Sequence, residues 1–163
     1  MKRSSTWTTL AIIAAVALPI GFVIYNKQST NAAAGDKDNR TVALSCTTEA
    51  AAQYHYHMTL SVYLNGEKQT IPANTGVKST CMNPIHTHDA TGLVHVESPV
   101  ERDFTLGDFF AVWDEPLSST QLLNKTADAT HRVRMTVNGQ ASTEFENLVL
   151  KDDQEIIIYY EEI

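Results

Sequence analysis

Five of the six histidines in this 163-residue chain fall in three short pairs, His55-x-His57, His86-x-His88 and His95-x-Glu97. In an extended strand, residues i and i+2 point to the same face, roughly 6.5–7 Å apart. Imidazoles and carboxylates reach far enough for such a pair to converge on one ion. Imidazole ligands suit Zn²⁺, Cu²⁺ or Fe²⁺. Calcium is disfavoured because it takes mostly oxygen. The leading candidate ligands are His57, His86, His88 and His95, with His55 and Glu97 next. One tetrahedral ion cannot take all of them, so one or two would orient a ligand rather than bind.

Each pair alone has a simpler reading. His55 and His57 could be exposed groups on a solvated sheet face. His86 and His88 lie in a turn in which Asp89 or Thr87 bonds the local backbone. His95 and Glu97 could be a cross-strand ion pair. Together, within 43 residues, they point to a metal site. His131 stands apart and is read as structural or at the surface. Met82 is read as a filler rather than a soft copper ligand.

The elements that must position these residues follow from periodicity. Residues 54–64 (YHYHMTLSVYL) alternate strictly, with Tyr54, Tyr56, Met58, Leu60 and Val62 on one face and both histidines on the other. Asn65-Gly66 predicts a hairpin, with 67–72 as the returning strand. Residues 73–84 read as irregular, 85–88 as a short extended piece, 89–92 as a turn and 93–97 as a strand. Thr105 and Asp108 form a capping signature for a helix over 106–113. That helix would bury Leu106, Phe109, Phe110 and Trp113 on one side. A second short helical piece is expected over 118–125. Strands resume at 131–137, followed by the hairpin signal Asn138-Gly139, and 155–160 (EIIIYY) reads as a central strand. The pattern is α+β: a β-grasp-like, mixed, mostly antiparallel sheet crossed by one main helix. A β-sandwich of the copper-protein type is the alternative, disfavoured by the amphipathic helix.

Residues 1–26 read as an N-terminal membrane helix or a signal peptide. Lys2 and Arg3 precede an apolar run over 10–25, about 24 Å long as a helix and about 28 Å with residues 7–9 included. Ala32-Ala33-Ala34 resembles a cleavage site but lies well past the apolar run, which favours an uncleaved anchor. Residues 27–40 read as a polar linker and 41–163 as one extracytoplasmic domain. The expected location is the cell membrane, single-pass with the C-terminal domain outside, or secreted if the segment is cut.

From Gly35 onward there are nine Lys or Arg against nineteen Asp or Glu, a net charge of −10. This acidity argues against nucleic acid as a partner. The membrane is expected as a partner through the N-terminal segment, and no protein partner is indicated. Cys46 and Cys81, an even count in an exported domain, favour a disulfide. The rival reading makes Cys81 a thiolate ligand five residues before His86.

The strings YHYHMTLSVYLNG, IPANTGV, a cysteine, IHTHDATGLVHVES and FTLGDFFAVW resemble an uncharacterised family of exported or membrane-anchored microbial proteins. The similarity covers residues 46–115 and, more loosely, the C-terminal hairpin. This chain has Met82-Asn83-Pro84 where the family pattern is more aromatic. The resemblance implies one exported domain with the histidine pairs as its signature, and it implies no activity.

Three functional readings follow. The first is a membrane-tethered domain that binds copper or zinc. The second is a metal-dependent enzyme using a His/Glu site with an open position. The third is a structural or interaction domain that holds no metal. No nucleophile elbow or phosphate-binding glycine loop is present to favour other chemistry.

Overall fold

Strand β1 (Tyr54–Leu64) organises the architecture because its two faces meet different surroundings. Met58, Leu60 and Val62 are buried, whereas His55 and Thr59 on the other face are exposed. The computed structural model describes residues 38–47 and 52–163. The predicted N-terminal membrane segment and most of the predicted linker lie outside these residues. Among the described residues, no helix is long and apolar enough to cross a membrane.

Asn65 and Gly66 both adopt positive φ, 52° and 84°. This is the twist of a two-residue hairpin turn, and it leads into β2 (Glu67–Gln69). An irregular stretch then reaches β3 (Ile85–His86) and β4 (Leu93–Ser98). Further on come α2 (Leu106–Trp113), β8 (His131–Val137), β9 (Gln140–Ser142) and β10 (Gln154–Glu162). Asn138 and Gly139 make the second hairpin with φ of 51° and 76°. The main sheet runs β3-β4-β1-β10-β8-β9, with β2 also on β1. Only β1 and β10 pair in parallel; the other named pairings are antiparallel. The fold is therefore mixed α+β, dominated by the sheet.

Met58, Leu60 and Val62 of β1, Val94 and Val96 of β4, and Ile156, Ile158 and Tyr160 of β10 face the core, together with Val133 and Met135 of β8. Across them lies α2, which buries Leu106, Phe109 and Phe110, the last two in edge-to-face contact at 6.2 Å. Each such side chain contributes about 1.5–3 kcal/mol by leaving water. Thr105 and Asp108 cap the helix reciprocally, and Asp114 ends it in the left-handed conformation.

Two expectations are corrected. The stretch 118–125 is not helical. It forms a small three-stranded sheet of β5 (Leu117–Ser118), β6 (Gln121–Leu122) and β7 (Lys125–Thr126). The Ser118 hydroxyl accepts from Thr120 N at 3.2 Å, a local bond that favours a turn over a helix. The folded part also reaches back to Asp38, which caps α1 (Asn39–Ala43). Arg40 of that helix pairs with buried Asp108 at 2.8 Å, so these predicted linker residues are tied to α2.

Candidate metal centre

The odd-numbered face of β1 and β4 carries His55, His57 and His95, and the strand register sets His86 of β3 beside them. His57 lies opposite His95, and His55 opposite Glu97. On the other edge of β4, His86 lies opposite His95. His95 is thus the middle member of a row running across three strands. One residue of slip in β4 would turn His95 and Glu97 to the core side and break the row. Gly92 helps fix this register. Its carbonyl accepts from Leu60 N at 2.9 Å, its φ is +92°, and a Cβ there would run into the Leu60 carbonyl oxygen.

His86 and His88 are aimed by the residue between them. Thr87 is fully buried. Its hydroxyl donates to Pro72 O at 2.9 Å and accepts from Thr75 N at 3.1 Å. With Thr87 facing inward, both neighbours face the opposite way. His86 is itself fully buried, and its Nδ1 lies 3.0 Å from the carbonyl of Asn83. A carbonyl only accepts, so Nδ1 carries the proton and Nε2 presents a lone pair. That Nε2 lies 3.2 Å from Nε2 of His88. Asp89 holds the following turn by accepting from the Thr91 backbone and hydroxyl. These bonds depress its carboxyl below the usual range.

Two three-histidine groups have ligand atoms all within 4.8 Å of one another: His55, His57 and His95, and His86, His88 and His95. Either has the spacing to hold a metal ion. His95 belongs to both. Its Nδ1 is 3.5 Å from His55 Nε2, and its ring lies 4.7 Å from that of His88 and 4.5 Å from that of His57. The four leading candidates therefore do not form one set. His57 joins His55 and His95, whereas His86 and His88 join His95 from the other side. Glu97 belongs to neither group; it contacts His55 Nε2 at 3.4 Å. His131 stacks on Tyr160 at 5.0 Å beside Asp128, a structural setting.

Cys46 and Cys81 form a disulfide with a Cα–Cα separation of 5.4 Å. This removes Cys81 from the ligand candidates. Sequence reasoning did not single out Asn83 and Asp152. Asn83 supports His86 through its carbonyl, and Asp152 accepts from the backbone N–H of His57 at 3.0 Å. The proximity of Asn83 to the histidine string was the available signal. For Asp152 there was none, because its contact spans 95 residues.

Burial, followed by the charges that His57, His88, His86 and His55 carry when protonated, holds the His95 imidazole down at about 4. Burial likewise lowers His86. Between the ordinary histidine value of about 6.5 and about 4, the unfolded chain takes up the proton at position 95 and the folded chain does not. Stability therefore falls with pH through that window and levels off below it. After allowance for solvent screening, the His95 contribution is on the order of 1–2 kcal/mol. Thermal melts of the chelator-treated protein from pH 7 to pH 4 should show the decline. Its absence, or a rise on acidification, would contradict a neutral His95.

Compared with protein-family models, with curated proteins and with solved structures, the chain matches none.

Proposed function

We propose that this is an extracytoplasmic domain that binds copper or zinc through its histidine face. The residue 10–25 segment tethers it to a membrane, or releases it if that segment is cut. The observation that carries the reading is the pair of three-histidine sets, above all the His86–His88 contact. Two nitrogens bound tetrahedrally to one ion at 2.0–2.1 Å lie about 3.3 Å apart. The Nε2 atoms of His86 and His88 already lie 3.2 Å apart. A ligand imidazole also usually donates its other N–H to a carbonyl or carboxylate, as His86 does to Asn83. The disulfide supports an oxidising compartment. The order β2-β1-β10-β8-β9 about one parallel pair supports a β-grasp-like scaffold, with β3 and β4 extending the β1 edge.

A second reading is favoured by the number of ligands. Three histidines leave a tetrahedral position open to water, as in catalytic zinc sites. Uptake of added azide by the bound ion would support it, and a closed four-ligand ion would oppose it.

The test is elemental analysis and melting of the protein purified without a His tag. About one equivalent of Cu²⁺ or Zn²⁺ is expected. Free metal at 100 times the dissociation constant should stabilise the domain by about 2.7 kcal/mol, a rise of several degrees. No stoichiometric metal and no rise would leave the histidines as surface groups in a structural or interaction domain.

A further inference from the structure

We propose that the two histidine triads are two positions for a single divalent cation: an outer loading position at His55, His57 and His95, and an inner holding position at His86, His88 and His95. His95 serves both positions. This rests on reading the face as a metal site and adds how the ion reaches its place.

Three observations carry the inference. The triads overlap in one residue, His95. They differ in whether they include a fully buried ligand. The His55 side chain is 45% exposed, whereas His86 is fully buried with its tautomer fixed by Asn83. His88 of the inner set is exposed as well, so the contrast lies in the deepest ligand. An ion at the outer set has no buried ligand and stays open to exchange, whereas at the inner set it is held by the buried, oriented His86. The local charge also disfavours double occupancy. Two ions sharing one imidazole lie within about 6 Å of each other. Glu97 contacts His55 Nε2 at 3.4 Å, while Asp152 accepts from the His57 backbone and Asp89 lies beside His88 and His95 toward solvent. These acids offset only part of the repulsion between two divalent charges at that spacing. A shared ligand also keeps the path short, since the His95 ring borders both positions.

The experiment uses Zn²⁺ and a chromophoric chelator in stopped flow, with the stoichiometry measured at saturation. The wild type should take one Zn²⁺ per chain. The His55→Ala/His57→Ala variant alters solvent-facing positions. It should still take one ion at equilibrium but load it at least about tenfold more slowly, with its release to chelator little changed. The His86→Ala/His88→Ala variant should load at the wild-type rate and release at least about tenfold faster. His88→Ala alone, at an exposed position, serves the same purpose if the loss of buried His86 impairs folding by circular dichroism. Two ions per chain at saturation would overturn the proposal in favour of a dinuclear centre. Wild-type loading by the His55→Ala/His57→Ala variant would overturn the loading role while leaving the metal reading intact. No ion on the wild type would remove the metal reading itself and this proposal with it.

Discussion

Replacing His95 with alanine is expected to abolish tight Cu²⁺ or Zn²⁺ binding, with a larger effect than any other single histidine substitution. The reason is position. β4 lies between β1 and β3, so the residue opposite both His57 and His86 is His95. Removing His55 or His57 leaves the set of His86, His88 and His95. Removing His86 or His88 leaves the other set. Removing His95 reduces both to two ligands. Loss of an outer-shell partner already costs 10–100-fold in affinity, so loss of a ligand common to both sets should cost at least about 100-fold. The substitution carries a second, independent readout. Because His95 is held down at about 4, its removal should flatten the acid-side decline in stability of the metal-free protein. Titration calorimetry and pH-dependent melting of the same variant measure the two effects. An affinity within tenfold of wild type would show that His95 is not the shared ligand. An unchanged acid decline would place that proton uptake elsewhere.

The elements on which these arguments rest were legible to different degrees, for identifiable reasons. The alternation of β1 gave the histidine face directly, because a period of two is a local property of five or six residues. Both Asn-Gly turns were legible because positive φ at two successive positions is chemically restrictive. The capped helix at 106–113 was legible for a similar reason, since Thr105 and Asp108 satisfy each other's backbone donors. The small sheet at 117–126 was not. One of its turns places Leu123 at a φ of 51°, with no glycine to announce it. The division of the histidines into two sets was not legible either. Each pair fixes only its own face. Which pairs become neighbours depends on β4 lying between β1 and β3, a register set by contacts far apart in the chain, such as Gly92 against Leu60. The expectation that His57, His86, His88 and His95 converge as one set therefore anticipated a cluster of histidines but not its division into two sets.

The second large effect concerns the disulfide, and it should reach the histidines. Cys46 and Cys81 close a loop of 35 residues. On the chain-entropy account this is worth about 4 kcal/mol, so the Cys46→Ser/Cys81→Ser variant should melt about 10–20 °C lower. The site is coupled to that link through Asn83, two residues beyond Cys81. The Asn83 side chain donates to the carbonyls of Ala43 and Ser45, at 2.9 and 3.3 Å, next to Cys46. Its own carbonyl holds Nδ1 of His86. Loosening the bridge therefore loosens the group that fixes the His86 tautomer and direction, and metal affinity should fall by 10–100-fold, the range for an outer-shell partner. Serine variants are a cleaner test than chemical reduction, because free thiolates would themselves bind the metal. Asn83→Ala separates the two effects: it leaves the bridge and the carbonyl in place and removes only the side-chain anchor. If the serine variant melts lower yet binds Zn²⁺ as tightly as wild type, the bridge supports the fold without tuning the site. If Asn83→Ala alone weakens Zn²⁺ binding, the coupling runs through this residue, and the bridge acts on the metal by holding Asn83 in place.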